Sequence, residues 1–202
     1  MTDTGKSPHG QQPPSPPDAD ALRDAALTYL ARYAATEAGL LRVLHRRIDR
    51  WVHQAQGSGA DRDTVATQAA AAVAAAQAVV ARLAAAGAIN DTAFAESKVR
   101  SLVRAGRSRR AIGAHLAAKG VDPETQRRIL PAADTDNELP AALVLARRRR
   151  IGPFRAGGPP EAEGRHRELA ILARAGFPQD VAQRALALDP EEAETLVNQL
   201  RR

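Results

Sequence analysis

The 202-residue chain contains no cysteine, which excludes disulfide scaffolds, thiol nucleophiles and cysteine zinc sites, and is consistent with a reducing compartment. Aromatics are scarce. Three Phe, two Tyr and one Trp leave too little bulk to fill a wide sandwich or barrel core. Although 44% of the residues are apolar, 45 are alanine, and isoleucine and valine together number only 18. Alanine is the best helix former and the β-branched residues are few, so the composition argues against β architecture and for closely packed helices. No apolar run follows Met1, and Pro8, Pro13, Pro14, Pro16 and Pro17 mark residues 1–20 as a disordered tail rather than a signal peptide. The most apolar stretch, Ala66 to Ala86, is broken by Gln68, Gln77 and Arg82 and reads as too polar to span a bilayer.

What the chain has in excess is arginine. Twenty-six of its 29 basic residues are arginine and the formal net charge is +6, which makes an anionic partner plausible. Six positive charges and no acidic residue fall between Lys98 and Arg110: Lys98, Arg100, Arg104, Arg107, Arg109 and Arg110. At helical spacing Arg100, Arg104 and Arg107 share one face, opposite Val99 and Leu102. Arg109 and Arg110 open the following helix, where the macrodipole disfavours cations, so a surface for phosphates or acidic side chains is the better account of the cluster, the alternative being a solvated helix face in an arginine-rich chain. Arg147, Arg148, Arg149 and Arg150 close a helix, where the dipole welcomes cations, and a solvated last turn explains them as well as a binding patch does. Arg42, Arg46, Arg47 and Arg50 read as a polar helix face.

Helical punctuation is clear. Apolar residues at Leu22, Ala26, Tyr29, Leu30 and Tyr33 precede Thr36, an N-cap for a helix through Leu40, Leu44 and Ile48. Gln54–Asp63 reads as an exposed loop before a helix over about 64–86 that stops at Gly87. Asn90 and Asp91 start a helix ending near Gly106, Ser108 opens another closed by Gly120, and Asp122 with Pro123 begins a short third. A polar connector over 131–138 leads to the helix ending at Arg150, and a loop over 151–164 to the last helices.

A shift of 56 residues superposes AHLAAKGVDPETQRRIL on AILARAGFPQDVAQRAL, aligning Leu116 with Leu172, Gly120 with Gly176, Arg128 with Arg184 and Leu130 with Leu186. Setting Leu44 against Leu116 suggests a third copy. The expected fold is all-α, three tandem three-helix repeats in an elongated, curved, right-handed arrangement. The expected repeats span 21–89, 90–133 and 138–188, followed by a short helix or tail over 189–202.

The motifs YLARYAATEAGLLRVL, INDTAFAESKVRSLVRAGRSRRAIGAHLAAKGV and ELAILARAGFPQDVAQRAL, in that order, resemble the RecX family of bacterial regulators of the RecA recombinase. The resemblance covers roughly Leu22 to Leu188. It departs from the family pattern at Gly39, Ser108, Arg109, Ala111 and His115, all sparing the apolar and turn positions. What it implies is a cytoplasmic, monomeric, non-enzymatic protein that binds the RecA filament in its groove. Such a protein restrains, or otherwise modulates, strand exchange, ATP hydrolysis and coprotease activity, and some members bind single- or double-stranded DNA. The alternative is a basic helical-repeat protein that binds DNA without RecA.

No catalytic constellation accompanies these motifs. The five histidines form no ligand set, and His45 and His53 read as surface residues. The tail tripeptide Gly5–Ser7 lacks the strand and helix a phosphate loop requires. No aromatic interleaves the basic cluster, so a base-stacking platform has little support. Tyr29, Phe94 and Phe177 are expected in the core, while Trp51 stays ambiguous. No metal, cofactor or membrane contact is expected.

Overall fold

A computed structural model describes residues 13–130, 135–158 and 161–200. The described residues form ten α-helices and one 3-10 turn, with no strand among them. The helices are α1 (Ala19–Leu30), α2 (Glu37–Gly57), α3 (Arg62–Ala85), α4 (Asp91–Arg104), α5 (Arg109–Lys119), α6 (Pro123–Ile129), α7 (Thr135–Arg149), α8 (Ala162–Arg174), α9 (Gln179–Ala187) and α10 (Pro190–Gln199). They divide into two compact units, one ending at Asn90 and the other beginning at Asp91.

Short polar side chains set the boundaries. Thr36 caps α2 by accepting the Gly39 N–H at 2.9 Å, Ser108 caps α5 through Ala111, and Asp122 caps α6 through Thr125 at 2.9 Å. Gly87, Gly106 and Gly120 all lie at positive φ, the conformation that ends a helix at least cost when no Cβ is present. The Thr36 and Ser108 caps are both buried, and each is followed by two buried apolar residues at matching spacing: Leu40 and Leu44 in α2, Ile112 and Leu116 in α5. At the 56-residue shift, Leu116 and Leu172 are both fully buried, Gly120 and Gly176 are both left-handed, and Val121 and Phe177 are both buried. One position breaks the pattern: the place of Ile112 is taken by Glu168, also buried, whose carboxylate is held by the Arg155 guanidinium and by the Gly152 N–H.

In the first unit α1, α2 and α3 bury Leu22, Leu40, Leu44 and Ile48 against Ala72, Ala76, Val79 and Val80. The alanines of α3 let the helix axes approach closely, and the leucines supply most of the hydrophobic stabilisation, roughly 1.5–3 kcal/mol each. By length and composition α3 is apolar enough to cross a membrane, with a mean hydropathy of 1.5 over its best window, contrary to the sequence reading of 66–86. The difference lies in alanine, which scores as apolar on a hydropathy scale while offering a single methyl group. Here the larger side chains of α3 are spent on the core, where Val65, Val79 and Val80 are buried.

Several boundaries differ from expectation. The loop at Gln54–Asp63 shrinks to residues 58–61, because Trp51 and Ala55 are buried against Val65 and extend α2, while Asp61 caps α3 by accepting the Thr64 N–H. The polar connector at 131–138 is shorter too, since α7 already begins at Thr135; residues 131–134 lie outside those described. Tyr33 falls beyond the end of α1 and is 57% exposed, its ring 5.1 Å from that of Tyr29, which is half-buried. Of the tail expected over 1–20, residues 1–12 lie outside those described, residues 14–18 run alongside α2, and helix begins at Ala19, capped by Asp18. His45 is half-buried rather than a plain surface residue, with its Nε2 shielded from solvent.

In the second unit α7 is the central helix. Leu139, Ala141, Ala142, Leu143, Leu145 and Ala146 are all buried, against α8, α9 and α10. The C-terminal α10 is part of this core, since Ala193 and Val197 are fully buried. It is capped by Asp189 with Pro190 in the first turn, the same device as Asp122 and Pro123.

Candidate functional site

The corner between α4 and α5 fixes the geometry of the basic residues. A Cβ on Gly106 would lie 3.0 Å from the Leu145 backbone nitrogen and 3.0 Å from Val144 Cγ1, so only glycine lets this corner rest on the backbone of α7. Two residues later Ser108 Oγ donates to the Ala175 carbonyl at 2.6 Å while accepting from Ala111, and a Cβ on Gly176 would sit 2.8 Å from that same oxygen. The Arg109 backbone N–H is bonded to the Glu138 carboxylate, and its guanidinium donates to the Leu130 carbonyl at 3.0 Å. Arg107 therefore projects from a corner whose neighbours on both sides are locked against α7 and the end of α8.

That corner borders a cleft of about 380 Å³ lined by Arg107, Arg148, Arg149 and Arg174, with Leu145 and Ile171 among its apolar walls. All four arginines are exposed, and no acidic side chain is among the lining residues. Three of the four occupy or adjoin last helical turns: Arg148 and Arg149 in α7, Arg174 in α8. The carbonyl ends of two helices thus supply the negative partial charge that holds the cations in place, without a carboxylate competing for their guanidinium donors. Such an arrangement can grip planar or tetrahedral oxyanions through bidentate hydrogen bonds.

Two stretches that are distant in sequence are brought together here, but only in part. Arg107 leaves the α4 face that it was expected to share with Arg100 and Arg104, because Gly106 turns the chain away; the latter two stay exposed on α4. Arg109 serves the fold through Leu130. Arg110 packs its stem over Gly176 and lines a different cleft with Arg109, Arg127 and Glu138. Arg147 turns to Glu194 on α10 at 3.2 Å, and Arg150 lies past the helix end at φ 54°. Lys98 lies over the Phe94 ring, 5.7 Å from its centroid. Arg174 was missed in the sequence. Its tripeptide Arg-Ala-Gly is no signal, since it stands at 104–106, 155–157 and 174–176 with the glycine left-handed each time, and only the last of these arginines lines the cleft.

His115 on α5 reports the local field. Partial burial lowers its pKa first, and the positive charges of Lys119, Lys98 and Arg107 lower it further. Among the described residues no group of three or more His, Asp or Glu side chains could hold a metal ion.

Comparison with known proteins agrees with this architecture. Residues 90–130, covering α4 to α6, match the family described as RecX, second three-helix domain. The regulatory protein RecX of Myxococcus xanthus is 38% identical over 186 residues, 92% of this chain and 94% of that protein. The regulatory protein RecX of Agrobacterium fabrum is 38% identical over 111 residues, 55% of this chain and 58% of that one. The crystal structure of RecX from Lactobacillus salivarius superposes with a TM-score of 0.52 at 17% identity, over 91% of this chain and 97% of that chain, a likeness of fold alone. With three apolar motifs in order, matching helical corners and a relative aligned along nearly its whole length, the chain belongs to the RecX family of regulatory proteins.

Proposed function

We propose that this chain is a non-enzymatic regulator that binds the RecA filament assembled on DNA, within its groove, and restrains strand exchange, ATP hydrolysis and coprotease activity. The observation that carries this reading is the family relationship along 92% of the chain. The arginine cleft supports it with a suitable contact surface. A filament offers repeating carboxylates and phosphates, and four guanidiniums around a cleft whose α4–α5 corner is pinned at Gly106 and Ser108 meet them with little loss of freedom on binding. We read the chain as three tandem repeats, supported by caps 72 positions apart at Thr36 and Ser108 and by the 56-residue match of α5–α6 with α8–α9.

Added to preformed RecA filaments on single-stranded DNA, the protein should lower the steady-state rate of ATP hydrolysis and block strand exchange. Unchanged rates at a stoichiometric excess would overturn the proposal. A second reading, a protein that coats DNA phosphates without RecA, draws on the absence of any carboxylate lining the cleft. Co-sedimentation beside DNA lacking RecA separates the two: the regulator needs the filament, while the coating protein binds bare DNA with an affinity that falls steeply with salt.

A further inference from the structure

The first unit holds a feature that the proposed regulation does not use. Trp51, the only tryptophan, has its ring buried with Ala55 and Val65, yet its indole N–H points outward and donates to the Pro14 carbonyl at 2.7 Å. Pro14, Pro16 and Pro17 lie with Trp51 along a groove of about 510 Å³. The helix side of this groove is Arg47, Arg50, Trp51 and Gln54, spaced i, i+3, i+4 and i+7 on one face of α2. The opposing segment is PPSPPD. Each proline fixes its own φ near −65°, and Pro13, Ser15 and Pro16, each preceding a proline, are driven to extended ψ values. Covalent geometry alone therefore shapes residues 13–17 as a polyproline II ligand before it meets the helix.

We infer that the Trp51 face of α2 is a recognition site for proline-rich segments in polyproline II form, occupied in this chain by its own residues 13–17. An aromatic donor reaching a prolyl carbonyl is well matched to this ligand class, because a polyproline helix has no internal hydrogen bonds and leaves its carbonyls free. The ligand is detachable. Pro13, Pro14, Ser15 and Pro16 remain exposed in the docked state and only Pro17 is half-buried, so the segment gives up little buried surface on leaving. The indole then loses one hydrogen bond and gains water, while its ring stays in the core. Docked, the segment also borders Arg47 and Arg50, which both stay exposed beside it.

Because there is one tryptophan, its indole N–H gives a single, assignable NMR resonance. In the full chain that proton should exchange slowly. Replacing Pro13, Pro14, Pro16 and Pro17 together by glycine keeps every carbonyl but removes the preorganisation, and should speed exchange about tenfold or more with helical content unchanged. Adding the peptide PPSPPD to this variant should restore protection. Equal protection in both proteins, or a variant that ignores the peptide, would overturn the inference. A second measurement does not depend on the glycine variant: with no native cysteine, Ser15→Cys carries a nitroxide label at one place. The label should broaden the indole resonance, and excess PPSPPD should sharpen it again; a resonance that is never broadened, or that stays broad with peptide, overturns the site.

Discussion

Gly106→Ala should destabilise the second unit by about 2–5 kcal/mol, whereas Gly87→Ala should cost the first unit only about 1–2 kcal/mol. The two glycines have the same φ, 74°, so the backbone penalty for adding a Cβ is the same in both. They differ in what surrounds them. Around Gly87 nothing lies within 4 Å of the new atom, while at Gly106 it would meet the Leu145 nitrogen, Val144 Cγ1 and the Ala141 carbonyl at 3.0–3.1 Å. Two of those three atoms belong to the backbone of α7 and cannot swing away as a side-chain end would. The excess at Gly106 thus measures how tightly the α4–α5 corner is seated on α7, and chemical denaturation of the two variants reads it directly. Similar losses in both would mean that the corner is loose. The same substitution should also weaken partner binding, since a displaced corner carries Arg107 away from Arg148 and Arg174.

Much of this arrangement was legible because it depends on local chemistry. A serine, threonine or aspartate before an apolar period marks a helix start wherever the chain is placed, and Thr36, Ser108 and Asp122 all cap as their spacing suggests. The left-handed stops at Gly87, Gly106 and Gly120 were equally readable. Tertiary contacts decided the rest. Composition around Gln54–Asp63 is that of a loop, yet Trp51 and Ala55 gain burial only if α2 continues, and that outweighs weak local preferences. Glu168 occupies a core position that hydrophobic periodicity assigns to an apolar residue, because Arg155, 13 residues earlier, returns to neutralise it. Helical spacing places the charge patch along one helix, but the cleft is made by three chain segments meeting, so counting charges in a window does not find Arg174. Nor could the two clusters be divided into residues that line the cleft and residues, such as Arg109 and Arg147, that are engaged elsewhere.

Arg148→Glu combined with Arg174→Glu should weaken binding to the RecA filament roughly 100-fold or more, each lost charge-assisted contact being worth about 1.5–3 kcal/mol before the added repulsion. The matched control is Arg100→Glu with Arg104→Glu, which changes the net charge equally on the exposed α4 face outside the cleft. If long-range attraction to a polyanion were the whole effect, the two double variants would lose affinity alike and both losses would vanish at high salt. A specific cleft makes the first loss much larger and leaves part of it in salt, because desolvated bidentate contacts are poorly screened. His115 supplies an internal reporter of the same event. In the free protein its pKa lies below the ordinary 6.5 through burial and the nearby Lys119, Lys98 and Arg107. Its protonation therefore opposes folding, and stability is lost as pH falls from 6.5 toward the lower folded-state value. When an acidic partner covers Arg107, one of those cations is neutralised and the His115 pKa should move upward, measured by NMR titration with and without partner. Arg107→Gln should raise it in the free protein for the same reason. A pKa that rises in Arg107→Gln but not on partner binding would place the partner away from the cleft.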